Sequence, residues 1–196
     1  MSDDNLYEFY TTSSYIQGDV GEVVTASELR SRCNMKVLRN IYLPYDGKLT
    51  EVDMIAVSKL GVFIVEVKNY SGEIIGSLND KYWKVRYSSI HYEKLYNPVF
   101  QNIRHKNAVE RYLKTNNLMG IPIFRPVIFS DKVKLSLRDC EKSVFTLSGF
   151  IDTYNSLDIC NLDDISINNL LNYFRPLSNQ SYEMRLVHLG LMDRRV

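Results

Sequence analysis

The chain contains few cysteines, and they are not arranged in a way that could hold a structure together. Its three cysteines, Cys33, Cys140 and Cys160, are odd in number and far apart, which excludes a disulfide framework and a CxxC zinc site. Only 9 glycines and 5 prolines occur in 196 residues, so collagen-like and low-complexity chains are excluded as well. We expect buried free thiols in a reducing cytosol.

Membrane and export signals are also missing from the sequence. No apolar run reaches the roughly 18 residues that a membrane helix requires, and the N-terminal segment lacks the basic and apolar regions of a signal peptide. The expected location is therefore the cytoplasm, without membrane association. With 45% hydrophobic and 24% charged residues, the composition is that of an ordinary globular domain.

The net charge is only +1, but the charges are unevenly distributed. Between residues 77 and 115 there are eight basic residues and three acidic ones; the basic residues are Lys81, Lys84, Arg86, Lys94, Arg104, Lys106, Arg111 and Lys114. A basic sector on a nearly neutral protein suggests a phosphate-rich partner on one face. The alternative is a solvated helix face with scattered charges.

The order of hydrophobic patterns predicts one mixed α/β domain. Residues 1–15 show no clear period and are expected to form a loosely attached arm. A helix follows from Gly18, with one apolar stripe at Ile16, Val20, Val23 and Val24 and a second stripe that is headed by Glu22 and continues through Ala26, Leu29 and Cys33. The later elements are predicted as strands at 36–43, 51–58 and 62–70, a hairpin of 73–77 and 82–87, a helix at 97–115, strands at 126–129 and 143–147, a helix from Asp163 that Pro176 ends, and a last helix at 180–192.

Charged residues on the second and third strands form the most informative cluster. Asp53 lies on the second strand, and Glu66 and Lys68 share one face of the third because residues i and i+2 of a strand point the same way. If the connection is Lys59-Leu60, Asp53 lies opposite Glu66; if it is Leu60-Gly61, Asp53 lies opposite Lys68. Either register brings the three side chains within reach of one another.

The flanking sequence indicates that this cluster is buried. Residues 62–65 are a continuous apolar run, typical of a strand covered on both faces. Two carboxylates there would repel each other and be costly to desolvate. A divalent cation would remove both costs, and oxygen ligands suit Mg²⁺ or Mn²⁺. The alternative is a cross-strand salt bridge between an acid and Lys68 on an exposed face.

These residues belong to a longer pattern that resembles a known family. The pattern comprises Gly18-x-x-Gly21-Glu22, Glu51-Val52-Asp53, the block from Gly61 to Gly72 that contains Glu66-Val67-Lys68-Asn69-Tyr70, then Trp83 and Asn97-Pro98-x-x-Gln101. It resembles the nuclease-related domain (NERD) family of the PD-(D/E)XK nuclease-like superfamily, over roughly residues 16–130.

The resemblance implies a restriction-endonuclease-like core of a helix, a three-stranded meander, a helix and a strand. It implies metal ligands at Asp53 and Glu66, a catalytic lysine at Lys68, an acidic residue of the first helix at Glu22, and a glutamine of the next helix at Gln101. The predicted organisation is therefore an arm at 1–15, a nuclease core at 16–130, and a segment at 131–196 that completes the same domain.

Gln101 begins a helical stripe with His105, Ala108 and Tyr112. Such a stripe can face the site and offer an amide and an imidazole to a phosphate or a base, although His105 could instead be a partly exposed surface histidine. Trp83 and Tyr82 are expected to pack within the hairpin rather than to stack on bases.

The sequence thus predicts a Mg²⁺- or Mn²⁺-dependent phosphodiesterase that acts on DNA, with RNA not excluded. Its catalytic residues would be Glu22, Asp53, Glu66, Lys68 and Gln101, and its nucleic-acid contacts Lys94, Arg104, His105 and Arg111. One alternative is a catalytically silent nuclease-like module that binds nucleic acid or protein. Another is a purely structural, salt-bridged α/β domain.

Overall fold

A computed structural model describes the backbone of residues 3–178 and the side chains of residues 18–178. The helix predicted at 180–192 lies outside the described residues. The helices are α1 (Asp3–Cys33), α2 (Pro98–Thr115), α3 (Leu147–Asn155) and α4 (Asp164–Ser178). None of these helices is both long enough and apolar enough to cross a bilayer.

The larger of two sheets carries the predicted meander. It contains β1 (Lys36–Tyr45), β2 (Lys48–Ser58), β3 (Gly61–Lys68), β7 (Ile123–Phe124), β8 (Val127–Phe129) and β10 (Val144–Thr146), in the order β1-β2-β3-β8-β10 with β7 also on β3. β1, β2 and β3 are antiparallel, whereas β3 pairs in parallel with β7 and β8. Ser58 pairs with Gly61, so the connection is Lys59-Leu60, the first of the two predicted registers.

Helices cover both faces of this sheet. On one face Met54, Ala56 and Val65 pack with buried residues of α1 and α3. On the other, Ile55, Val57 and Ile64 pack with buried residues of α2 and α4. Because side chains alternate along a strand, the even-numbered residues of β3, including Glu66 and Lys68, face α2. The predicted mixed α/β class is confirmed.

A second, four-stranded sheet has the order β6-β5-β4-β9. Its strands are β4 (Gly72–Ser77), β5 (Tyr82–Arg86), β6 (Tyr92–Tyr96) and β9 (Val133–Arg138). Its inner face places Ile74, Trp83, Val85 and Leu95 against Val127 and Phe129 of β8. Trp83 is buried as predicted, and its indole N–H donates to the carbonyl oxygen of Ser77 at 2.7 Å.

Three expectations about the helices need correction. α1 begins at Asp3, so residues 3–15 are helical although their sequence shows no clear period; whether they form a loosely attached arm stays a prediction. Only the stripe headed by Glu22 is buried, because it faces the sheet; Val20, Val23 and Val24 are about half exposed. Pro176 lies inside α4, which continues for the two residues beyond it.

Four elements have no predicted counterpart. They are β6, β7, β9 and α3. β7 has two residues and β6 buries only Leu95, so neither carries a periodic signal. In β9 the alternation of Val133, Leu135 and Leu137 with polar residues is a strand signal that the prediction missed. Helix α3 is capped at its N-terminus by Thr146, whose hydroxyl accepts from the Gly149 N–H at 3.2 Å.

Candidate active site

The site lies where β2 separates from β3. Their ladder ends at the pair Met54 and Val65, so Asp53 and Glu66 come next in register but are not paired. The Asp53 carboxylate instead accepts the backbone N–H of Val67 at 2.9 Å. On its other edge β3 continues by pairing Glu66 with Val127 of β8. The divergence of the strands places two acidic side chains at an opening in the sheet.

Glu66 is fully buried and is contacted by two basic side chains. Lys68 Nζ donates to its Oε1 at 2.6 Å, and His105 Nδ1 lies 3.2 Å from its Oε2. The second contact does not have hydrogen-bond geometry, so Oε2 and Nδ1 are both buried without a hydrogen-bond partner. A buried carboxylate oxygen without a partner is costly and is available to a further ligand.

Burial and neighbouring charges move the pKa values of the three central groups apart. Burial is the largest influence on Asp53 and, with the charge of Glu66, holds its pKa well above the ordinary value. Burial would also raise the pKa of Glu66, but Lys68 and His105 outweigh it, so that pKa is lowered. Burial would lower the pKa of Lys68, yet Glu66 and Asp53 raise it overall. At neutral pH Glu66 is therefore ionised and Lys68 is protonated. Of the two acids, Asp53 keeps its proton to the higher pH.

Helix α2 supplies the far wall of the site, as its stripe predicts. Gln101 Oε1 accepts from Lys68 Nζ at 3.4 Å. His105 is buried against Glu66, so it is not a partly exposed surface histidine. Its burial also contradicts its predicted role as a nucleic-acid contact, and we assign it to positioning Glu66 instead.

Two further side chains that the sequence did not single out shape the site. Buried Asn102 donates to the carbonyl oxygens of Ile64 and Pro126, both at 3.0 Å, and so joins β3 to the residue before β8. Arg39 of β1 contacts Glu22 at 3.0 Å and Asp19 at 2.5 Å. Neither role is visible in sequence, because an isolated Asn on a helix or Arg on a strand has no distinguishing pattern.

The comparisons with known proteins agree with this arrangement. The model of the family described as nuclease-related domain, NERD, matches residues 17–130, which include every residue of the site. The chain is a member of the NERD family. This family belongs to the PD-(D/E)XK-like nuclease superfamily, and the mixed α/β domain is consistent with its restriction-endonuclease-like fold.

Two similar proteins have no assigned function. An uncharacterized protein from Bacillus anthracis is 31% identical over 135 residues, which are 64% of this chain. The chain spans about 60% of the length of that relative. A crystal structure of a protein of unknown function is 11% identical, covers 89% of this chain and 96% of its own, and has a TM-score of 0.39. At that score the likeness assigns neither fold nor function.

The acidic residue of the NERD first helix, Glu22, is not brought into hydrogen-bond contact with the central acids. Its carboxylate pairs with Arg39. Burial, the largest influence on this group, raises the pKa of Glu22 despite the opposing effect of Arg39. A role for Glu22 at a metal stays a prediction.

The NERD glycine Gly21 allows α1 to approach the end of β3. A Cβ at this position would lie 2.6 Å from Cβ of Asn69, next to Lys68 in sequence, whereas a Cβ at Gly18 would meet nothing within 4 Å.

We expect Gly21→Ala to lower the free energy of unfolding by about 1–3 kcal/mol. Gly18→Ala should leave it unchanged or raise it by about 0.5–1 kcal/mol. Urea denaturation measures both; equal stability of the two variants would show that the close approach is unimportant.

The residues present fit a divalent cation. Glu66 offers a buried oxygen without a hydrogen-bond partner, and Asp53, on the adjoining strand, is partly exposed. Within residues 18–178 no group of three or more His, Cys, Asp or Glu could hold a metal. A cation would thus have two carboxylates and take its other ligands from water or substrate, as Mg²⁺ commonly does.

The predicted nucleic-acid contacts do not form one cluster. Lys94 lies on the exposed face of the small sheet, while Arg104 and Arg111 are exposed one above the other on α2. Arg111 lies 3.8 Å from Asp46 in the β1–β2 turn. The basic sector is therefore divided between the small sheet and the outer side of α2.

Proposed function

We propose that this NERD protein is a phosphodiesterase that cleaves DNA with the aid of Mg²⁺ or Mn²⁺. The observation that carries the proposal is the pair of acids at the strand divergence. Glu66 is fully buried with an oxygen that lacks a hydrogen-bond partner, and Asp53 beside it is hard to ionise while no cation is present. A binding module or a salt-bridged scaffold has no use for such a pair.

Asp53 and Glu66 would hold the cation. When bound, it would supply Lewis-acid activation of the scissile phosphate and of the attacking water. His105 and Lys68 keep Glu66 ionised and therefore ready to bind. Asn102 fixes the backbone of β3 against the segment that leads into β8, so that the carboxylate keeps its position.

Lys68 would act on the phosphate itself. Its protonated amino group is held between Glu66 and Gln101, and a fixed positive charge there opposes the negative charge that develops during hydrolysis. Gln101 limits the rotation of the lysine side chain and offers its amide N–H groups to a phosphate oxygen. Neither residue requires sequence-specific contact with a base, so the proposal assigns no sequence preference.

A catalytically silent nucleic-acid-binding module is the second candidate. It is favoured by the 2.6 Å contact through which Lys68 already occupies one oxygen of Glu66. In a silent module the ion pair of Lys68 and Glu66 takes the place of a cation. The basic residues of the small sheet and α2 would then bind nucleic acid without cleaving it.

Nicking of a supercoiled plasmid distinguishes the two candidates. The full chain is incubated with Mg²⁺, Mn²⁺, Ca²⁺ or EDTA, and binding is measured separately by electrophoretic mobility shift in EDTA. The proposal predicts cleavage with Mg²⁺ or Mn²⁺ and none with EDTA. If the protein binds nucleic acid but cleaves no DNA or RNA with any of these metals, the silent module is the correct candidate.

A further inference from the structure

The outer face of the small sheet combines exposed aromatic rings with basic side chains. Residue alternation places Tyr82, Lys84 and Arg86 of β5, Tyr92, Lys94 and Tyr96 of β6, and Lys134, Ser136 and Arg138 of β9 on this face. We call these residues the platform. The opposite face packs on β8, so the sheet is covered on one side and open on the other.

The aromatic rings of the platform are accessible. Tyr82, Tyr92 and Tyr96 are 43%, 58% and 40% exposed, and Tyr82 contacts Tyr96 edge to face with ring centroids 5.8 Å apart. Tyr82 thus packs on its neighbour across the β5–β6 ladder but keeps a large part of its ring exposed. Tyr92 lies four residues from Tyr96 along β6, which corresponds to about 13 Å. The platform thus presents two separate aromatic positions.

A pair of lysines lies between these two positions. Lys84 and Lys94 are directly opposite each other in the β5–β6 ladder, an arrangement of like charges that destabilises a sheet. Each ammonium group lies over a tyrosine ring, Lys94 at 3.8 Å from the centroid of Tyr82 and Lys84 at 4.4 Å from that of Tyr92. An anion placed between the lysines would relieve their repulsion.

The acids near the platform leave it with an excess of basic side chains. Glu73 of β4 is engaged by Arg86, by Lys134 at 3.4 Å and by the Ser136 hydroxyl at 2.5 Å. Asp80 and Glu93 line the groove of about 760 Å³ on this face, together with the three basic residues Lys84, Lys94 and Arg138. Among residues 18–178, no carboxylate lies at ion-pair distance from Lys84, Lys94 or Arg138. The face is therefore complementary to a polyanion.

We infer that the platform binds single-stranded nucleic acid, with unpaired bases stacked on Tyr82 and Tyr92 and backbone phosphates held by Lys84, Lys94 and Arg138. Alternating basic and aromatic side chains match a chain that alternates phosphates and bases. The faces of the bases are free to stack on tyrosine only in a single strand, which favours it over a duplex. The inference rests on the proposed function in taking a nucleic acid as substrate, and it deepens that function by naming the strand state.

The platform is also close to the candidate active site along the chain. β4 begins at Gly72, four residues after Lys68, so their Cα atoms are at most about 14 Å apart. The sheet that carries the platform therefore begins near Lys68. Binding itself requires neither the cation nor Lys68.

Fluorescence anisotropy of the full chain in EDTA tests the inference. The probes are a labelled thymidine oligonucleotide of about 15 nucleotides, near the upper end of known site sizes, and a duplex of the same length. We expect the single strand to bind more tightly. Tyr82→Ala and Tyr92→Ala should each weaken its binding about 5- to 100-fold, whereas Tyr82→Phe and Tyr92→Phe, which keep the ring, should bind as the wild type does.

Charge reversal provides a second arm of the same experiment. Lys84→Glu and Lys94→Glu should each lower the slope of log affinity against log salt concentration by about 0.7 for a single strand. Lys48→Glu, an exposed residue at the β1–β2 turn, is the matched control and should leave the slope unchanged. Tighter binding of the duplex, binding that ignores both alanine variants, or no binding of the single strand would overturn the inference.

Failure of this inference and failure of the proposed function can be distinguished. Glu66→Gln should bind the oligonucleotide normally but not cleave it. Tyr82→Ala and Tyr92→Ala should lose oligonucleotide binding while still binding Mn²⁺. Cleavage and metal binding without any effect of the platform variants would refute the platform alone.

Discussion

Lys68→Ala is expected to lose at least about 10²–10³-fold in the single-turnover cleavage rate, the usual loss when one fixed electrostatic contact to the transition state is removed. The raised pKa of Lys68 means that its amino group is protonated. A protonated amine has no lone pair for a metal, so metal binding should be retained. Nucleic-acid binding should also be retained, because Lys68 lies outside the platform. The loss should therefore fall on turnover rather than on affinity.

Two further variants make this result specific. Lys68→Arg should also fail, because a wide planar guanidinium cannot take the place of a compact ammonium between Glu66 and Gln101. Lys48 is an exposed lysine at the β1–β2 turn, and Lys48→Ala should cleave as the wild type does. The assay is single-turnover cleavage of supercoiled plasmid in Mg²⁺ or Mn²⁺, with binding measured in Ca²⁺. Equal cleavage by wild type and Lys68→Ala would refute the mechanism.

The two acids of the site should respond in opposite directions to neutralisation in metal-free buffer. Glu66→Gln removes the charge that Lys68 and His105 surround, so we expect a loss of about 1–3 kcal/mol in the free energy of unfolding at neutral pH. Asp53→Asn removes a carboxylate that is unfavourable when ionised, while its amide oxygen can still accept the Val67 N–H. Its stability should equal or exceed that of the wild type.

The pH dependence of these effects follows from the two pKa shifts. The lowered pKa of Glu66 gives stability that is present above its unfolded-state pKa and lost as the pH falls through the folded-state pKa. The raised pKa of Asp53 has the opposite effect: its favourable contribution is present at low pH and lost as the pH rises through the folded-state value. Urea denaturation at pH values from about 3 to 8, which span the ordinary carboxyl pKa near 4, measures both. Parallel pH profiles of the two variants would contradict the assignment.

The register of the central strands could be narrowed to two possibilities from sequence because the constraints on it are local. The connection between β2 and β3 has only two residues, which leaves two registers, and the structure adopts the one that aligns Asp53 with Glu66. The burial of Glu66 follows from the apolar run that precedes it. The position of α2 against this strand follows from the stripe of Gln101 and Ala108.

Other features depend on contacts that no local pattern reports. The approach of His105 to Glu66 depends on how α2 crosses the sheet, and the pairing of Glu22 with Arg39 depends on where α1 meets β1. The platform requires β4 to pair with β9, whose residues lie about sixty positions later in the chain.

Titration of Mn²⁺ followed by electron paramagnetic resonance, which measures the unbound ion, tests the central claim most directly. The wild type should bind one equivalent of Mn²⁺, and excess Mg²⁺ should displace it. Glu66→Gln and Asp53→Asn should lose this binding. Lys68→Ala should keep it or bind more tightly, because the amino group no longer occupies Oε1 of Glu66. Absence of saturable binding in the wild type, or equal binding by all four proteins, would contradict a metal site at Asp53 and Glu66.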